Sequence, residues 1–165
     1  MNTTWETIAD CLRDEVAGYA RLLSLFEEQQ RLIFRRDPSG VLRASDSIRE
    51  QVQAVDHLRG DREVTVAQFA LAQGRPPSAP LRSLIAAVAP EARPLLAALI
   101  SDINRLTHQV RRAARLSQRL LASSVEIHQE LLRRLQPGSF NTTYAANGRL
   151  SVSASLPVGA LQTTG

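Results

Sequence analysis

The sequence predicts an all-α fold: an elongated antiparallel helical bundle, or coiled-coil hairpin, with three long helices and a flexible C-terminal tail. Three observations predict it. Trp5, Leu12, Tyr19, Phe26 and Ile33 recur every seven residues, the spacing of a helix seam. Apolar positions alternating by three and four then continue through two further long stretches. Finally, hydrophobic residues make up 44% of the chain but aromatics only 4%, so the core is Leu, Ile, Val and Ala, which suits helix packing better than a β-sandwich.

The first helix runs from Thr4 to about Arg36, with Ile8, Val16, Leu22 and Leu23 beside the seven-residue seam. Asn2 to Thr4 offer N-caps. Asp37-Pro38 starts the second helix, because Asp caps well and Pro is favoured at the first helical position. This helix spans 38–73. Its seam includes Val41, Ser45, Ile48, Val52, Val55, Val66 and Phe69, and also Arg59 and Arg62, so it reads as long and partly polar. Gly60 weakens it by about 1 kcal/mol relative to Ala without ending it.

Residues 74–80 hold three prolines within five positions and form a linker. A short apolar helix fits Leu81 to Val88. The third long helix extends over 90–135, with Pro94 near its first turn and a seam through Leu99, Ile103, Leu106, Val110, Ala113, Ser117, Leu120, Ser124, Ile127 and Leu131. A rod of roughly 65–70 Å needs antiparallel partners, which the first two helices supply. Pro137-Gly138 ends it. Residues 1–135 therefore form the helical domain, and 136–165 a tail poor in charge and packing residues.

Charge is unevenly spread. Residues 1–73 carry 9 Arg against 12 acids, and residues 74–135 carry 10 Arg against 4 acids. Two opposed halves can satisfy each other, so the net charge of +4 does not demand a nucleic-acid partner. One cysteine, Cys11, fits a reducing compartment. No secretory signal is visible, and the longest apolar runs, Leu84–Ala89 and Leu95–Ile100, are six residues each, too short to span a bilayer. The expected location is the cytoplasm, without membrane insertion.

Signals for an enzyme are nearly absent. His57, His108 and His128 share no face with metal-ligand partners, and no phosphate loop or catalytic triad is present, so neither metal nor cofactor is expected. Arg105, His108, Arg112, Arg115 and Arg119, reinforced by Arg111, form a helical stripe that could track phosphates. The competing reading sets the stripe in solvent or against the acidic side of the first helix, at Glu6, Asp10, Asp14, Glu27 and Glu28. That reading is preferred, because the segment lacks stacking aromatics. The other notable feature is apolar breadth. Leu116, Leu120, Leu121, Val125, Ile127, Leu131, Leu132 and Leu135 spread around the third long helix more widely than a two-helix seam requires, which suggests a face for another helix.

Two short motifs, Ser117-Gln118-Arg119-Leu120-Leu121 and Thr143-Tyr144-Ala145-Ala146-Asn147-Gly148, join the early Trp5 and the helix order in a familiar pattern. Over residues 1 to about 150 the chain resembles the FlgN family, flagellar export chaperones of the bacterial type III system. It departs from the family at Ala114 and Ser117, where members often have asparagines, and in the long tail beyond Gly148. The resemblance implies a small cytoplasmic chaperone without catalytic activity. Its clients would be hook–filament junction proteins, whose C-terminal helical segments would lie on Leu116, Leu120, Leu121, Val125, Ile127, Leu131, Leu132, Leu135 and Phe140. It further implies that Tyr144 docks on the cytoplasmic domain of the export gate. The alternatives are a self-associating coiled-coil scaffold and a basic helical nucleic-acid binder.

Overall fold

The computed structural model describes residues 5–135 and the backbone of 140–144 and 150–154. Helix α1 covers Trp5–Phe34, α2 Pro38–Ala72, α3 Leu81–Leu84 and α4 Arg93–Leu135, with a single 3₁₀ turn at Ile85–Ala87. Helix is thus the dominant structure, as the apolar periodicity predicts. The expected N-caps at 2–4 and the helix stop at Pro137-Gly138 lie outside the described residues.

The α1–α2 corner is tight because its residues are suited to it. Asp37 caps α2, accepting from Gly40 N–H at 2.9 Å, and Pro38 occupies the first turn. Gly40 is buried, and a methyl group there would come within 2.8 Å of Leu32 Cδ2. At its other end α2 stops at Gly74, whose φ of 67° suits glycine, while Arg75 N–H reaches back to Ala70 O at 2.9 Å and Gly74 N–H to Leu71 O at 3.0 Å. These paired bonds satisfy carbonyls that the helix end would otherwise orphan.

Helices α1 and α2 run antiparallel, since residues early in α1 meet residues late in α2. Their seam is unusually polar. Cys11 Sγ lies 3.7 Å from Thr65 Oγ1, and Glu15 Oε2 lies 2.8 Å from Arg62 Nε. Further along, Gln51 Nε2 donates to Gly18 O at 3.0 Å and Gln29 Nε2 to Ser45 Oγ at 2.9 Å. Gly18 permits the close approach: a Cβ there would stand 3.0 Å from Leu58 Cδ1 and 3.2 Å from Val55 Cγ2. Slipping the helices past one another would strand several buried polar groups, so these contacts define the register.

The largest core gathers where α1 begins and α2 ends. Ile8, Ala9 and Leu12 pack with Val66, Phe69 and Ala70, and with Leu84, Val88, Ala92, Leu96 and Ile103. The segment after the proline-rich stretch is therefore part of the core, not a spacer between domains. Arg93 ties it down, donating to Val88 O at 3.0 Å and Ala86 O at 2.9 Å. Helix α4 leaves this core alongside α1, and Gln30 Nε2 reaches Ala113 O at 3.1 Å and Ser117 Oγ at 3.3 Å. The two helices run in the same direction, so of the two expected antiparallel partners of α4 only α2 is one.

The chain divides into two compact units, 1–120 and 121–165. Within the second, β1 (Phe140–Tyr144) and β2 (Leu150–Ala154) pair antiparallel, with Phe140 opposite Ala154, Thr142 opposite Val152 and Tyr144 opposite Leu150. This hairpin departs from the expectation of a featureless flexible tail. Its cause is legible in hindsight: Asn147-Gly148 between two runs that alternate apolar and polar residues is a strong short-range hairpin signal.

Candidate partner-binding face

The apolar seam of α4 keeps its three–four rhythm for its whole length, but its burial does not persist. Leu96, Ile103, Leu106, Val110 and Ser117 are buried. Ser117 is level with Gln30, four residues before the end of α1. Beyond it Leu120 and Leu121 are half-buried. Val125, Ile127, Leu131, Leu132 and Leu135 are between 45% and 76% exposed.

In the first unit, Leu116 is exposed and Leu120 half-buried, on one side of α4. In the second unit, helical spacing sets Ile127 and Leu131 in one row and Leu121, Val125 and Leu132 in another, with Leu135 between them. Together the rows cover roughly half of the helix circumference. The opposite side is polar: Glu130 pairs with Arg133 at 3.3 Å and with Arg134 at 2.9 Å. Ser124 and His128 fall by the same spacing within the apolar sector, where His128 Nδ1 lies 2.8 Å from Ser124 O and so engages its own helix. The structure thus brings Leu121, Val125, Ile127, Leu131, Leu132 and Leu135 together on one apolar surface. Phe140 and Tyr144 begin and end β1, and their side chains lie outside the described residues.

The arginine stripe is divided. Arg105 is paired within its own helix, to Asp102 at 2.9 Å. Arg112, Arg115 and Arg119 line a groove of about 490 Å³ against α1, together with Leu23, Glu27, Gln30, Gln109, Ala113 and Leu116. Intramolecular pairing across this groove is not what the structure shows: among the described residues none of Arg111, Arg112, Arg115 or Arg119 makes a salt bridge. The acids offered by α1 are partly spent locally, Asp10 on Arg13 and Glu28 on Arg31, both at 2.7 Å. Short same-helix pairs form more readily than links across a groove.

Sequence reasoning missed the one deeply buried charge among the described residues. Glu15, 1% exposed, lies against Arg62, which is 24% exposed. Arg62 Nε stands 2.8 Å from Glu15 Oε2, which makes the contact an ion pair across the α1–α2 seam. Burial raises the Glu15 carboxyl above its ordinary value of 4.5, opposed by Arg62 and Arg59. The signal was present: Glu15 falls three residues after Leu12 on the buried stripe, and Arg62 lies on the second helix's seam. Cys11 is half-buried between the two helices, as a packing cysteine should be. Among the described residues no group of three His, Cys, Asp or Glu side chains could hold a metal ion, and no helix is long and apolar enough to cross a membrane.

A family model described as FlgN protein matches residues 1–151. The chain belongs to the FlgN family. That membership implies a flagellar export chaperone role. No curated protein and no solved structure matches the chain. The match takes in all the described helices and β1, and its last residues fall within β2, so the tail tyrosine lies inside the family's span.

Proposed function

We propose that this FlgN-family protein holds the C-terminal helical segments of hook–filament junction proteins on the apolar end of α4 and delivers them to the export gate. The observation that carries the proposal is the exposure of Val125, Ile127, Leu131, Leu132 and Leu135 on one surface. A helix that keeps a core-like apolar pattern where it has little cover is suited to a partner helix, read through anchors three and four residues apart. Client segments that are unfolded before assembly expose apolar surface, and covering it would prevent premature association. Leu116, Leu120, Leu121 and Phe140 extend the same client-binding role. The protein acts stoichiometrically, without cofactor or catalysis, in the cytoplasm.

Tyr144 has the other proposed role, docking on the cytoplasmic domain of the export gate. A tyrosine supplies a large contact area with few side-chain torsions to freeze, which suits a reversible anchor.

The test is co-purification with hook–filament junction proteins. Leu131→Asp/Leu132→Asp should abolish client retention, whereas Tyr144→Ala should reduce export and leave client binding intact. Unchanged client binding in the double variant refutes the α4 site. Loss of client binding in Tyr144→Ala would move the tail into the client groove. Light scattering addresses the scaffold reading, since a stable higher oligomer that covers the α4 face would contradict a chaperone surface.

A further inference from the structure

We propose that the arginine-lined groove between α1 and α4 is a second docking surface, which takes an acidic amphipathic helical segment of a partner protein. It lies entirely within residues 23–119 of the first unit and shares only Leu116 with the residues proposed for client binding.

Charge is the first argument. Several exposed arginines elsewhere in the helices pair with a carboxylate three residues away: Arg13 with Asp10, Arg31 with Glu28, Arg49 with Asp46 and Arg105 with Asp102. Between Asp102 and Glu126, however, α4 contains no acid at all. Arg112 and Arg115 stand three apart, and Arg111, Arg115 and Arg119 four apart, so the helix sets like charges at its neighbouring positions. Such pairs are destabilising. The single carboxylate on the facing wall, Glu27, makes no salt bridge among the described residues, which leaves three guanidinium groups against one acid. An incoming carboxylate relieves this repulsion and gains charge-assisted hydrogen bonds.

Shape and lining identify the occupant further. The groove combines the guanidinium groups with apolar contact from Leu23, Ala113 and Leu116. Its position is held by Gln30, which ties α1 to the Ala113 carbonyl and the Ser117 hydroxyl. Arg112 and Arg119 are seven residues apart, a rise of about 10 Å. A partner helix with an apolar residue over Leu23 and Leu116, and acids at matching intervals on its flank, meets both features. Nucleic acid fits less well, because no aromatic ring lines the groove for stacking and Glu27 would face the phosphates.

The test uses the full chain and a fluorescein-labelled synthetic amphipathic peptide with Leu along one side and Glu on its flanks. Its control is the same peptide with every Glu replaced by Gln. By fluorescence anisotropy the Glu peptide should bind about tenfold tighter or more, an advantage that shrinks as salt is raised. Arg112→Gln/Arg115→Gln/Arg119→Gln should remove that advantage without lowering the thermal unfolding temperature, since it also removes like-charge repulsion. Glu27→Gln, which deletes the opposing acid, should strengthen Glu-peptide binding by about twofold or more. Leu131→Asp/Leu132→Asp should leave peptide binding unchanged while client retention is lost, so the two proposals fail separately. Equal binding of the two peptides, or binding unaffected by the triple variant, overturns the proposal. So does displacement of the Glu peptide by duplex DNA at concentrations below the peptide's own, which would make the groove a phosphate track.

Discussion

Glu15 shows how a single side chain can both weaken a fold and specify it. The carboxylate is almost fully buried and pairs with Arg62, with Arg59 and Glu63 also acting on it. Removing one member of a buried pair leaves the other uncompensated, so Arg62→Leu should cost about 3–5 kcal/mol at pH 7. Glu15→Leu/Arg62→Leu, which removes both, should lie close to the native stability or above it. Urea titration of the three proteins distinguishes this account from one in which the pair is simply favourable, where the double variant would be worst. The pH dependence has a definite sign. The folded pKa of Glu15 is raised, so its contribution to stability is complete below about 4.5 and is lost as pH climbs through the raised value. Melting temperatures measured from pH 4 to 7 should show a downward component in the native protein that Glu15→Gln removes. In return, the pair, with Gln29–Ser45 and Gln51–Gly18, penalises any slipped register of α1 on α2.

At the scale of elements, α2 and α4 illustrate two different limits on a helix. Helix α2 runs through Gly60, where a Cβ would meet nothing within 4 Å, so Gly60→Ala should stabilise by about 0.5–1 kcal/mol. Gly74→Ala should do the opposite, since its left-handed backbone closes the C-terminal cap. A pair of thermal melts checks both signs. In α4 the limit is cover rather than propensity. Leu84, fully buried beside the start of α4, should lose about 2–5 kcal/mol on mutation to Ala. The exposed pair Leu131 and Leu132 should tolerate change to Asp with stability held within about 0.5 kcal/mol. If the Leu131 and Leu132 substitutions unfold the protein, that end of α4 is a structural contact and not a free face.

Considered as a whole, the molecule has its strongest packing where four segments meet and little where α4 ends. Amide exchange should follow that gradient, with strong protection around Leu96 to Val110 and markedly faster exchange over 121–135. Uniform protection along α4 would contradict it. The periodic positions already reveal the helices, the Asp37-Pro38 corner and the apolar breadth of 116–135, because spacing along a helix alone decides which residues share a side. The short helix at Leu81–Leu84 was legible for the same reason, whereas the strands at 140–144 and 150–154 depended on a turn signal that composition obscured. Other properties depend on which helix lies beside which. Sequence could not tell that Glu15 meets Arg62, that Asp10 and Glu28 would be paired within α1 itself, or that Arg112, Arg115 and Arg119 would face a nearly acid-free wall. Nor could it tell where the α4 seam loses its cover, since Ser117 and Leu131 occupy equivalent positions in the pattern and differ only in what packs against them. The sequence by itself determined the helices and their apolar sides, because those follow from local geometry. Only the tertiary structure decided which apolar and charged groups remain unpartnered, because burial and pairing belong to contacts between segments far apart in the chain.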